Sequence, residues 1–246
     1  MVGKDRQSCV LCHNFELKLS VSFFRQMEEK ITRLANYSTC DVADALLEIG
    51  HPPHGGFLQD ITMYVPDIRN TRTSKCVGPA FTIKLVPLSE PVPKLEKHFA
   101  DAAPEGSIVV VSAPPNTPNA VWGGLMNTRV RMRGVKGIVV DGRIRDLEEL
   151  REDGLPVFAK GQSVLSARKY THPSALDVPI TINNTGITIN PGDYIIADLN
   201  GVVFIPKELV DRVLELCKKQ VKVDDNVKKD LLNGVSIAEA FKRHRG

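Results

Sequence analysis

The 246-residue chain has no apolar run approaching the roughly 18 residues that a membrane span needs, so no membrane partner is expected. Its first apolar stretch is broken by His13, Asn14, Glu16 and Lys18, unlike a secretory signal. Its five cysteines, Cys9, Cys12, Cys40, Cys76 and Cys217, are odd in number and scattered. They fit free thiols in a reducing compartment better than a disulfide framework, so a cytoplasmic location is expected. Charge of either sign is not in excess: 32 Lys and Arg stand against 29 Asp and Glu. Arg129, Arg131, Arg133 and Lys136 are spread around a helix and read as solvated or inter-subunit residues, so no nucleic-acid partner is expected. No internal repeat, dividing linker or Gly-x-Gly-x-Gly nucleotide loop is present, and the last absence sets aside a methyltransferase.

What is present alternates between two periodicities. Residues 1–22 read as an extension without core periodicity, and residues 23–246 as a single domain with a helical tail. Cys9-Val-Leu-Cys12-His13 matches a haem-attachment pattern, but haem is attached in this way outside the cytosol, so the match reads as coincidence. Helices are predicted over 23–34, after a Ser38 or Thr39 cap to Gly50, over 94–103, 207–221 and near 235–243. His51 and His54, with prolines between them, read as a surface or pocket-closing loop. Strands are predicted over 77–86, 107–112, 137–140 and 155–159. Two hairpins should turn at Asn183–Thr185 and at Asn200-Gly201. The order strand, loop, helix, strand over 107–140 is a βαβ unit, whose crossover should be right-handed.

The stretch Trp122–Asp146 concentrates the chemistry. Gly123 and Gly124 open a helix over about 125–133 and leave its first N–H groups open to an anion. A buried strand then ends near Val140 and delivers Asp141-Gly142-Arg143-Ile144-Arg145-Asp146, placing a guanidinium beside a carboxylate at a strand end. A plain ion pair and a tight packing point would also satisfy these residues.

Gly123-Gly-Leu-Met126, the block from Gly134 to Asp146, Asn190-Pro-Gly-Asp193 and Asn200-Gly-Val-Val203 resemble the RraA-like family, over about residues 31–216. The resemblance implies an α/β fold, a swivelling β/β/α domain built on a central βαβ unit with mixed sheets and flanking helices. It implies trimers or hexamers with sites near subunit interfaces. It also implies a metal-dependent aldolase, cleaving 4-hydroxy-4-methyl-2-oxoglutarate to pyruvate and decarboxylating oxaloacetate through a pyruvate enolate. Carried over by position, the backbone of Gly123, Gly124, Leu125 and Met126 holds the substrate carboxylate. Arg145 binds the keto acid and stabilises the enolate oxygen, and Asp146 anchors Mg²⁺ or Mn²⁺.

One departure stands out. The family's aldolases carry an acid 21 positions before the arginine, where this chain has Gly124. Asp141 and Asp198 are available acids that read rather as turn or structural residues, and Glu215 is a candidate from a neighbouring subunit. Lys84 and Lys160 are the positions to test for a Schiff base. The family also includes non-catalytic regulators that bind a ribonuclease or an RNA helicase, which is the alternative reading.

Overall fold

The computed structural model describes residues 25–66, 75–93 and 95–245; Cys9, Cys12 and His13 lie outside them. A helix through residues 25–34 (α1) is followed by Thr39–Ile49 (α2). Ser38 caps α2 in a reciprocal box with Asp41, and Gly50 closes it in the left-handed conformation. Then come Thr62–Val65 (β1), Cys76–Pro87 (β2), Phe99–Ala102 (α3), Ile108–Ser112 (β3) and Ala120–Trp122 (β4). Gly124–Met132 (α4), Gly137–Ile144 (β5), Leu147–Asp153 (α5) and Val157–Gln162 (β6) follow. The chain continues through Thr171–Leu176 (β7), Ile180–Thr181 (β8), Thr188–Ile189 (β9), Tyr194–Asp198 (β10) and Gly201–Ile205 (β11). It finishes with Val210–Leu232 (α6) and Ile237–His244 (α7).

The strands make a mixed sheet in the order β1-β6-β5-β3-β2-β10-β11, with β4 added to β5 and β7 to β2, beside a small β8–β9 hairpin. The two ends of this order approach each other. Phe57 bridges Val203, and the Leu58 N–H donates to the Val202 carbonyl, so the sheet is nearly closed. Strand β3 runs parallel to both β2 and β5. Its alternation splits the core as a two-faced strand must. Val109 and Val111 join Val130, Val140 and Leu150 beneath α4 and α5, while Ile108 and Val110 join Phe158, Ile182, Ile187 and Phe204. A third cluster packs α2 and α6 on β10 and β11 through Leu46, Ile196, Ile205, Val213 and Leu214.

Several elements differ from the sequence-based expectation. The helix expected over 94–103 starts only at Phe99, where the His98 side chain caps the Ala100 N–H. The strand expected to stop at Val140 runs to Ile144, because β4 and β6 both continue the pairing beyond an irregularity after Val140. Helix α6 continues to Leu232, where the apolar stripe has thinned to little more than Val227. The short strands β1, β4 and β7 carry no periodicity of their own and owe their existence to the neighbours they pair with.

Candidate active site at the start of helix α4

Strand β4 is only three residues long, but it decides the geometry. It lies parallel to the far end of β5, and the Arg145 N–H donates to the Trp122 carbonyl at 3.0 Å. That register sets Gly123, which follows β4, against Arg145 and Asp146, which follow β5. Gly123 is the N-cap of α4 and brings no side chain to cap with. Asp146 supplies the missing acceptor from across the fold: its Oδ2 takes the Gly124 N–H at 3.1 Å. The same oxygen lies 3.4 Å from Arg145 Nε. A negative group at a helix N-terminus is favoured by the partial positive charge there.

The bare glycines leave room for this approach. A Cβ on Gly123 would stand 2.5 Å from Asp146 Oδ2 and 3.1 Å from Arg145 Cγ. A Cβ on Gly124 would fall 1.8 Å from Glu149 Oε2, so the Glu149 side chain lies over the bare Cα of Gly124. Because Asn127 makes the first intrahelical bond, to Gly123, the N–H groups of Leu125 and Met126 have no acceptor within α4.

Asp146-Leu-Glu-Glu149 is a capping-box sequence for α5, yet no such box forms. Asp146 sits in the left-handed region (φ 60°, ψ 45°) and makes no cap hydrogen bond to its own helix. An N-cap needs extended backbone, so both acids are released toward α4. A left-handed non-glycine held by its surroundings is a recurrent feature of functional sites. Helices α4 and α5 are fastened further along by Asp153, which accepts from Asn127 and Thr128 and pairs with Arg131 at 3.3 Å.

In front of Arg145 and Asp146 lies a cleft of about 790 Å³, lined by Ile144–Leu147 and Gln162–Leu165. It is open: Val164 on its wall is 93% exposed. Leu125, in the first turn of α4 and outside the cleft lining, is 78% exposed.

The other candidate residues lie apart from this cleft. Arg143 donates to the Gln162 carbonyl over Gly161. Lys160 pairs with buried Asp141 at 2.6 Å and donates to the Asn183 carbonyl, while Asn183 returns two N–H bonds to Asp141. Burial pushes the Asp141 carboxyl above its usual range against the opposing pull of Asn183 and Lys160. Asp198 holds the Thr39 N–H and hydroxyl and the Asn200 amides. Lys84, His51 and His54 are exposed, and Glu215 pairs with Arg212. Arg129 and Arg131 are paired with Asp101 and Asp153, and Arg133 donates to the Ala103 carbonyl.

Among the described residues no three His, Cys, Asp or Glu side chains cluster into a metal cage. That donor set does not fit structural zinc. A carboxylate such as Asp146, with one oxygen engaged and the other open, fits a magnesium-type ion that keeps most of its water.

A family profile described as RraA-like, aldolase/RraA, matches residues 39–204. The chain belongs to the RraA-like family. Both the Gly123 helix start and the Arg145–Asp146 strand end fall inside the matched segment. Among relatives of this RraA-like chain, protein DlpA of Legionella pneumophila is 29% identical over 219 residues, which cover 87% of the chain but only 33% of DlpA. A Halalkalibacterium halodurans protein, provisionally named a 4-hydroxy-4-methyl-2-oxoglutarate aldolase, is 30% identical over 67% of the chain and 76% of its own length. The crystal structure of an uncharacterised Pseudomonas syringae protein superposes with a TM-score of 0.74 at 28% identity, covering 87% of this chain and 96% of that one. Streptomyces coelicolor RraAS2, described as an unusual member of the RNase ES inhibitor RraA family, superposes with a TM-score of 0.70 at 27% identity, covering 80% and 95%.

The sequence-based reading missed Glu149. Its signal was present, because Asp146 and Glu149 are three apart, the spacing of neighbours on one helical face.

Proposed function

We propose that the cleft binds a 2-keto dicarboxylic acid and breaks the carbon–carbon bond next to the keto-bearing fragment, as a pyruvate-releasing aldolase that also decarboxylates oxaloacetate. The observation that carries this reading is the convergence of Arg145 and Asp146 on the uncapped start of α4. The free N–H groups of Leu125 and Met126 accept the substrate carboxylate, with Gly123 and Gly124 giving it room to approach. Arg145 binds the keto acid and stabilises the enolate oxygen as charge develops there. Asp146 holds Mg²⁺ or Mn²⁺. The cation, when bound, supplies further positive charge beside that oxygen. Loss of carbon dioxide from oxaloacetate reaches the same pyruvate enolate without an initial deprotonation, so the two reactions share one set of charge-stabilising groups.

Exposed Val164 on the cleft wall and Leu125 in the first turn of α4 support a site completed by a neighbouring subunit in a trimer or hexamer. The aldolase names of the relatives support the reading as well. The test is turnover of oxaloacetate and of 4-hydroxy-4-methyl-2-oxoglutarate with Mg²⁺, then with EDTA. Activity with Mg²⁺ that EDTA abolishes is expected. No turnover of either substrate, or full turnover in EDTA, refutes the reading. A second reading, a non-catalytic regulator of a ribonuclease or RNA helicase, is supported by the likeness to RraAS2. Nuclease inhibition by a chain that turns over neither substrate would put it first.

A further inference from the structure

Cleavage of a 4-hydroxy-2-keto acid needs a group that the charge-stabilising residues do not provide, an acceptor for the hydroxyl proton. Asp146 is a poor choice, since one of its oxygens is held by the Gly124 N–H and lies against Arg145. Asp141, Asp153 and Asp198 are each committed to two or more donors. Lys160 is tied to Asp141. Glu149 differs from all of these. It is exposed, and its Oε2 occupies the place a side chain on Gly124 would take, with its own Cβ only 3.2 Å from that imagined atom. The carboxylate therefore reaches the start of α4 from α5, one residue along from the Gly123 position that Asp146 and Arg145 crowd.

We propose that Glu149 is the proton-transfer residue of this site, and that the absence of a side chain at Gly124 is what lets it in. The proposal rests on the aldolase reading. Glu149 takes the proton of the substrate's C4 hydroxyl. The C3–C4 bond breaks, its electron pair passes into the pyruvate enolate, and C4 becomes a carbonyl carbon. Glu149 returns the proton to C3 of the enolate, so the step closes with no external acid, base or redox partner. Cleavage uses this residue from its first step, whereas decarboxylation starts without it.

The two reactions accordingly separate the residue's role from the site's integrity. With Glu149→Gln in the full chain and Mg²⁺ present, the ratio of 4-hydroxy-4-methyl-2-oxoglutarate cleavage to oxaloacetate decarboxylation should fall by about 100-fold, the lower end of what a general base contributes. Glu148→Gln, one residue away and exposed, should leave that ratio where it was. Restoring the carboxylate from the other helix is the second arm: Gly124→Asp combined with Glu149→Ala should recover cleavage at least about tenfold over Glu149→Ala alone. Gly124 has ordinary helical backbone, and Glu149→Ala removes the two carboxyl atoms that would crowd a Cβ there, leaving only the residue 149 Cβ at 3.2 Å. An equal loss of both reactions, no loss of either, a higher KM without loss of kcat, or no recovery in the double variant overturns the assignment. If the unsubstituted protein turns over neither substrate, the aldolase reading itself has failed, which is a different result from an active protein whose ratio ignores Glu149.

Discussion

The Asp146 carboxylate accepts the amide N–H of Gly124 across 22 positions of sequence, at 3.1 Å. The bond caps one helix with the residue that begins the next and leaves that next helix without its own side-chain cap. It also holds the Asp146 carboxylate, beside the Arg145 guanidinium on the wall of an open cleft, against the first turn of α4.

Arg145 and Arg143 stand two apart on the same chain but make different contacts, Arg145 with Asp146 and Arg143 with the Gln162 carbonyl. Arg145→Ala is expected to lower kcat/KM for oxaloacetate by about 100-fold or more, the scale for losing one oxyanion donor. Arg143→Ala, which loses only a bond to the Gln162 carbonyl, should cost under about threefold. Steady-state kinetics on the two variants decides, and equal effects would remove Arg145 from its role.

Gly123 has extended backbone that any residue adopts, so Gly123→Ala introduces no conformational strain. Its added methyl would press on Asp146 Oδ2 and Arg145 Cγ. Turnover is expected to fall by at least about tenfold, since about an ångström of misplacement carries that scale of penalty. The melting temperature should move by only a few degrees, the shift expected for about 1 kcal/mol in a chain of this size. Wild-type turnover would show that Asp146 need not sit where it does.

Lys160→Met leaves Asp141 buried with its charge partner gone. Breaking a buried pair from one side costs about 3–5 kcal/mol, measurable by urea unfolding. Adding Asp141→Asn should restore part of that loss. Because Lys160 is a structural partner here, borohydride in the presence of pyruvate should not label it; labelling would point to a Schiff base instead.

Asp198 gives a pH signature. Burial alone would push its carboxyl up, but the Thr39 N–H and hydroxyl and the Asn200 amides outweigh burial and hold it below 3.8. A carboxyl lowered in the folded state stabilises the fold above its unfolded pKa, and that contribution is lost as pH falls through the folded value. The stability gap between wild type and Asp198→Asn should therefore be full near about pH 6 and shrink below about pH 4. A gap that widens on acidification would contradict the hydrogen-bonding role.

Much of this was legible in the residues themselves. Ser38 and Gly50 bound their helix, and the run from Ile108 to Val111 makes a strand buried on both faces, because capping and two-sided burial are local rules. The hairpin expected at Asn200-Gly201 forms one residue earlier, with Leu199 and Asn200 in the turn and Gly201 paired with Asp198. Gly123-Gly124 and Arg145-Asp146 could be singled out in the same way, as a bare helix start and a charged strand end.

Their meeting could not be read locally. It depends on β4, three residues with no periodicity, choosing the end of β5 as partner. It depends equally on Asp146 taking a left-handed backbone that defeats the capping box its own sequence spells. The sequence alone determined the family and the helices and strands with strong periodicity, and it singled out the two halves of the candidate site. The tertiary structure decided which oxygen caps which helix and brought Glu149 over Gly124, because those contacts join residues more than twenty positions apart and answer to packing between elements rather than to any rule within one.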